Sequence, residues 1–356
     1  MTFVLGRETG IDAGPTGQLG HYRARDGSQG APLHLDLDGP HAALVVGKRG
    51  YGKSYTLGVL AEALARARGV APVVVDPMGV FETLADGVPD GSDPVPARVV
   101  RAPAVTPASL DPRSWCTLLG LSPESGVGGL VWQAATAVNT LPAMRDHVRD
   151  ADAPVADRRA ATNHLGLADS WGVFDADGLA PADLASPAAT VVDVSGLDQA
   201  PANAVLRSIA TGLYRARVEE RLDRLPWLLV DEAQAFFDGV ATSALRRLLT
   251  RGRAPGVSLV LATQRPSAVP AVAISQSDLL VAHRLTSRVD LEALERVQPT
   301  HLDTALREQL PENPGEVVVV DDATETVHAA RIRERHTPHG GHSPQASDSH
   351  GDHTQL

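Results

Sequence analysis

The sequence predicts an α/β fold: a doubly wound, mainly parallel sheet flanked by helices, with a helical insertion and a short N-terminal β element. Three observations carry that expectation. Short apolar runs of strand length alternate with longer segments of helical period. Those runs are rich in Val, Leu and Ala, as strands buried on both faces of a parallel sheet must be. The chain has 356 residues, 43% hydrophobic and 21% charged, enough for one large domain, and no fixed-period repeat that would indicate a solenoid.

The elements follow in order. Residues 1–40 are rich in Gly and Asp, and LHLDLD (33–38) marks a short β segment ahead of the core. HAALVVG (41–47) is the first core strand, and KSYTLGVLAEALARARG (53–69) is a helix with apolar i, i+3/i+4 spacing and a Gly stop. APVVVDP (71–77) and PARVVRAP (96–103) are strands. Between about 121 and 185 the character changes: helical stretches near 127–141 and 154–167, then Pro-, Asp- and Gly-rich loops, mark an insertion. The rhythm returns with strands at 189–196, 226–232, 256–264, 277–285 and 315–320, and helices at 201–223 and 241–251. The core domain is therefore expected over 41–335. The His-, Ser-, Gly- and Asp-rich residues 336–356 are expected to be a disordered, solvated tail.

Composition narrows the function classes. No apolar run approaches the ~20 residues of a membrane span, and no signal peptide opens the chain, so a cytoplasmic protein without membrane insertion is expected. A single cysteine, Cys116, excludes a disulfide framework and a cysteine-rich metal site. The net charge is −11, and Lys48 and Lys53 are the only lysines. An acidic, lysine-poor chain fits a high-salt cytoplasm, where acidic surface keeps proteins soluble, or a GC-rich genome that replaces Lys by Arg. It argues against a strongly basic nucleic-acid module, while leaving room for a local basic channel.

The chemistry begins at GKRGYGKS, which matches G-x-x-x-x-G-K-[ST] between a strand and a helix. Gly47, Lys48, Arg49, Gly50, Tyr51, Gly52, Lys53, Ser54 and Tyr55 form the candidate nucleotide site. Glycines let backbone N–H groups turn inward around a phosphate, and the helix N-terminus adds positive potential. Lys53 would reach the β- and γ-phosphates, and the Ser54 hydroxyl would ligate Mg2+. The cofactors are therefore ATP and Mg2+.

PWLLVDEAQAFF (226–237) supplies the metal side of such a site. Asp231 at the strand tip would hold the metal's water shell, and Glu232 would polarise the attacking water. Gln264, ending the strand in GVSLVLATQRPS (256–267), would sense the γ-phosphate or orient that water.

The ordered set of P-loop, Asp-Glu strand and ATQRP strand resembles the HerA/FtsK superfamily of hexameric DNA-pumping ATPases, and HerA-like proteins in particular. DPMGVF (76–81), LTRGRAPGVSLVLATQRPS (249–267) and HRLTSRVDLEAL (283–294) resemble further family segments. Val80 stands where the family usually carries an acidic residue. The resemblance implies a P-loop NTPase fold of the RecA-like type and roles for Lys53, Ser54, Asp231, Glu232 and Gln264 as argued above. It also implies a homo-oligomeric ring, a hexamer, with an arginine reaching into the neighbour's site. Arg253 is the first choice for that arginine, with Arg251 on the same loop and Arg284 as a second. Double-stranded DNA is the implied polymer, with a nuclease or another protein as possible partner. The rival functions are a non-motor ATPase switch, an ATPase pumping protein or nucleoprotein with a partner, and a small-molecule kinase.

Overall fold

The computed structural model describes residues 4–7, 14–24, 26–88, 93–296 and 306–340. Its strands are β1 Val4–Leu5, β2 Thr16–Arg23, β3 Gln29–Asp36, β4 Ala42–Val46, β5 Val70–Asp76, β6 Ala97–Val100, β7 Ala189–Asp193, β8 Leu225–Val230, β9 Ser258–Thr263, β10 Leu279–Ala282, β11 Glu316–Asp321 and β12 Thr326–Ile332. They form one sheet in the order β1-β3-β2-β12-β11-β10-β4-β9-β8-β5-β7-β6. From β10 through β6 every pairing is parallel. This is the mainly parallel sheet that the apolar runs predict.

The strands β4, β5, β8 and β9 are buried on both faces, so successive side chains feed two different cores. Leu44, Val46, Val73, Val75, Leu228, Val230, Leu259 and Leu261 point to one. Ala43, Val45, Val74, Trp227, Leu229, Val260 and Ala262 point to the other. Helix α1, Lys53–Arg66, covers the second face with Leu57, Leu60 and Leu64.

The other helices divide between the insertion and the first face. Between β6 and β7 lie α2 Pro112–Leu118 and, within the stretch 121–185 expected as an insertion, α3 Gly126–Ala137, α4 Leu141–Asp150, α5 Val155–Ser170 and a short α6, Pro181–Leu184. Trp115, Val131, Met144, Val148 and Leu165 give α2 to α5 a small core of their own. Helix α4 lies between the two helical stretches legible in the sequence. Helices α7, Gln199–Val218, and α8, Thr242–Arg251, pack on the first face.

Beyond β10 the sheet continues through antiparallel pairings β10–β11, β11–β12, β12–β2 and β2–β3. The N-terminal strands thus join the sheet through its C-terminal strand. Strands β2 and β12 are absent from the sequence-based expectation because TGQLGHYR and TVHAARI contain no apolar run; their sheet faces are only partly covered.

Residues 336–340, placed by composition in a disordered tail, are seated on α1. Thr337 is buried, and its N–H and hydroxyl both donate to Glu62 Oε1, at 2.9 and 2.8 Å. The rest of the expected tail, 341–356, lies outside the described residues. Among the described residues no helix is long and apolar enough to cross a membrane.

Candidate nucleotide and magnesium site

Parallel register brings the motifs together. Val46 pairs with Thr263 and Val230 with Leu261, so the C-terminal ends of β4, β8 and β9 lie side by side. The residues that follow those ends are Gly47, Asp231 and Gln264. Three motifs distant in sequence share one edge of the sheet, the edge where α/β folds bind ligands.

The loop leaving β4 turns through Gly50 at φ +80° and Gly52 at φ +107°, conformations open to glycine without strain. Helix α1 starts at Lys53, directing the free N–H groups of its first turn toward the loop. Arg49 and Gly50 are exposed at the loop's crest, and the Lys48 ammonium lies 4.3 Å from the centre of the Tyr51 ring. Lys53 is buried, its Nζ donating to Lys48 O at 3.4 Å. Burial pushes its pKa down, and the Glu232 and Asp231 carboxylates oppose that. Tyr55 faces away from the loop crest, its hydroxyl accepting from Arg335 N at 2.7 Å.

Ser54 Oγ donates to Asp231 Oδ2 at 2.6 Å. Asp231 is fully buried, and burial raises its carboxyl to about 6 although Ser54, the Glu232 N–H and Lys53 pull the other way. A buried carboxylate so under-compensated, beside a hydroxyl oxygen, suits a hard divalent cation with oxygen ligands. Ser54 and Asp231 would hold Mg2+ between them, the phosphates and water supplying the rest. Among the described residues no group of three or more His, Cys, Asp or Glu could hold a metal on its own.

Glu232 adopts φ +44°, a left-handed backbone that costs a non-glycine residue energy and points to an imposed geometry. Its N–H donates to Asp231 Oδ1 at 2.9 Å. Gln264 Nε2 donates to Glu232 Oε2 at 3.1 Å, and Gln234 Nε2 donates to the same oxygen. Thr263 Oγ1 in turn donates to Gln234 Oε1 at 2.6 Å. The carboxylate is therefore aimed by two amides, one of them fixed by β9.

Sequence reasoning missed Gln234 and Thr263, and also His283 beneath the loop. Each lies inside a quoted segment that gave it no role, because its work depends on a distant partner: Thr263 and Gln234 on each other, His283 on Thr56 of α1. Asp76 of DPMGVF caps its own turn, accepting from Met78 N at 3.0 Å and Phe81 N at 2.8 Å.

Residues 18–139 match the family described as helicase HerA, central domain. Over that stretch, about a third of its length, the chain is similar to that family. No curated protein sequence matches it significantly. Among solved structures, VirB4 of Thermoanaerobacter pseudethanolicus is similar to this chain with a TM-score of 0.64 and 18% identity, covering 91% of this chain and 98% of that one. The bacterial conjugative coupling protein TrwB, in an unbound form, gives a TM-score of 0.59 at 15% identity, covering 87% and 89%. TrwB in complex with ADP and Mg2+ gives 0.57 at 15% identity, covering 83% and 86%. At such identities the likeness is one of fold.

The arginines separate in the structure. Arg251 closes α8 and Arg253 lies on the loop before β9, a strand of six residues whose far end, at Gln264, is about 20 Å away. Arg253 is exposed and lies 3.6 Å from Asp278. Arg284 is brought to the loop: its carbonyl accepts from Lys48 N at 2.8 Å, while its guanidinium donates to Glu312 O at 3.0 Å.

Proposed function

We propose that this chain binds MgATP at the loop Gly47–Ser54 and hydrolyses it, as the force-generating subunit of a ring-shaped motor. One observation carries the reading: Ser54, Asp231, Glu232 and Gln264, from three separate segments, meet in hydrogen-bond contact beside Lys53. That constellation has the parts of a phosphoryl-transfer site. Lys53 would neutralise the β- and γ-phosphates. Ser54 and Asp231 would hold Mg2+, which supplies charge neutralisation when bound. Glu232, aimed by Gln264 and Gln234, would take the proton of the attacking water at Oε1 or Oε2. The structure of TrwB with ADP and Mg2+ supports the cofactor assignment.

The ring is proposed to be a hexamer in which Arg253 completes the neighbour's site. Its position, exposed and remote from its own loop, suits a contribution in trans. The polymer moved is proposed to be double-stranded DNA. The test is the ATPase rate with and without duplex DNA, at low and at multimolar salt, together with the mass of the particle with ATP. DNA stimulation of a ring supports the DNA motor. A ring whose turnover ignores DNA removes that polymer and leaves the hydrolase.

A second reading is a transfer or secretion ATPase that pumps protein or nucleoprotein with a partner. The similarity to VirB4 and to the conjugative coupling protein TrwB favours it.

A further inference from the structure

One side chain from another strand fences two glycines of the phosphate loop. A Cβ on Gly47 would lie 2.6 Å from His283 Cβ, and one on Gly52 would lie 3.2 Å from His283 Cε1. The ring is fully buried, with Nε2 2.9 Å from Thr56 Oγ1 in the first turn of α1. Main-chain bonds clamp both sides of the contact: His283 N donates to Val46 O and Lys48 N donates to Arg284 O, both at 2.8 Å. Nδ1 is buried, and the Tyr51 and Glu316 backbones are close enough to act on the ring. Nδ1 lies on the loop side, 3.6 Å from the place a Gly52 Cβ would take. Burial and the Lys53 ammonium push the imidazole down to about 4, so the ring is neutral near pH 7.

Resting on the ATP-binding reading above, we propose that His283 is the positioning residue of the phosphate loop, its Cβ closing on Gly47, its ring walling Gly52 and its bond to Thr56 fixing the loop to α1. A phosphate loop binds through the directions of its N–H groups, and glycines lose more freedom on ordering than any other residue. A wall built before the nucleotide arrives removes that ordering cost from binding. Replacing the ring by a methyl group returns the cost, and it falls on affinity first. No residue of the P-loop motif provides this wall.

The experiment compares wild type, Lys53→Ala, Thr56→Val and His283→Ala, →Gln and →Asn. Each is titrated with a fluorescent ATP analogue and Mg2+, and KM and kcat for ATP are measured. His283→Ala is expected to weaken binding about tenfold, with KM rising more than kcat falls. His283→Gln, whose amide reaches Thr56, is expected to recover most of the affinity; His283→Asn, which is too short, is not. Wild-type affinity in His283→Ala overturns the proposal. Equal loss in the Ala, Gln and Asn variants also overturns it, because the bond to Thr56 would then contribute nothing. Should His283→Ala not fold, the contrast between Gln and Asn decides, and Thr56→Val must reproduce the Asn loss. If wild type itself does not bind the analogue, the nucleotide reading falls and this one with it; normal binding by wild type and by His283→Ala removes only the role of His283.

Discussion

Gln264 donates to Glu232 across 3.1 Å, joining the tips of two neighbouring strands on the carboxylate expected to activate water. The bond makes Glu232 a fixed acceptor rather than a strand-end cap. Glu232→Gln keeps the shape and loses the base, so MgATP binding should persist while turnover falls by about 10²- to 10⁴-fold. Single-turnover hydrolysis and analogue binding check this together. Wild-type turnover in Glu232→Gln, with activity lost in Asp231→Ala, would reduce Glu232 to a cap.

Lys53 and Arg253 should behave as halves of one site on different subunits. Lys53→Ala should neither bind ATP tightly nor hydrolyse it; Arg253→Ala should bind normally and not turn over. Mixed rings of the two variants should regain part of the activity, since a heterologous ring pairs an intact loop with an intact arginine. The measurement is ATPase rate against mixing ratio. A monomer with full activity rules out the shared site.

His41, at the start of β4, lies between Asp278 at 2.9 Å and Asp36 at 3.6 Å. Arg7 pairs with the same Asp36, and Arg253 lies 3.6 Å from Asp278. Burial alone would lower its pKa; the Asp278 and Asp36 carboxylates outweigh burial and raise it to about 9. A raised histidine stabilises the fold fully below its unfolded value, near 6.5, and the gain is lost as pH rises through the folded one. The melting temperature should therefore fall between about pH 6.5 and pH 9. The loss is about 3 kcal/mol at most. His41→Gln should start lower and show a flatter profile across that window; an unchanged slope contradicts the charged cluster.

Glu62 of α1 is fully buried and binds the residues that follow β12. Arg333 Nη1 donates to it at 2.8 Å and Thr337 N at 2.9 Å, while Arg335 lies 3.7 Å away. Burial pushes its carboxyl up, and the Thr337 and Arg333 bonds outweigh that to hold it below the ordinary value. Glu62→Ala would leave Arg335 buried without a counter-charge, so a loss of about 3–5 kcal/mol is expected. Urea unfolding measures it. A change under 1 kcal/mol would show that the segment 333–337 adds little to the fold.

The sequence by itself determined the parallel half of the sheet and the chemistry on it. Strands buried on both faces must be apolar runs, and phosphate loops need glycine, lysine and serine at fixed spacing, so Gly47–Ser54, Asp231, Glu232 and Gln264 were legible as short local patterns. Only the tertiary structure decided the antiparallel wing, where β2 and β12 carry mixed polar sequence and are held by pairing rather than by an apolar face. It also decided the seat of residues 336–340 on α1, which composition assigns to solvent. His283, His41 and Gln234 belong to this second group: each is one polar residue whose role depends on a partner from a distant segment, Thr56, Asp278 or Thr263. Local pattern encodes backbone geometry and burial, whereas such pairs arise only when strand register places two distant residues at the same height.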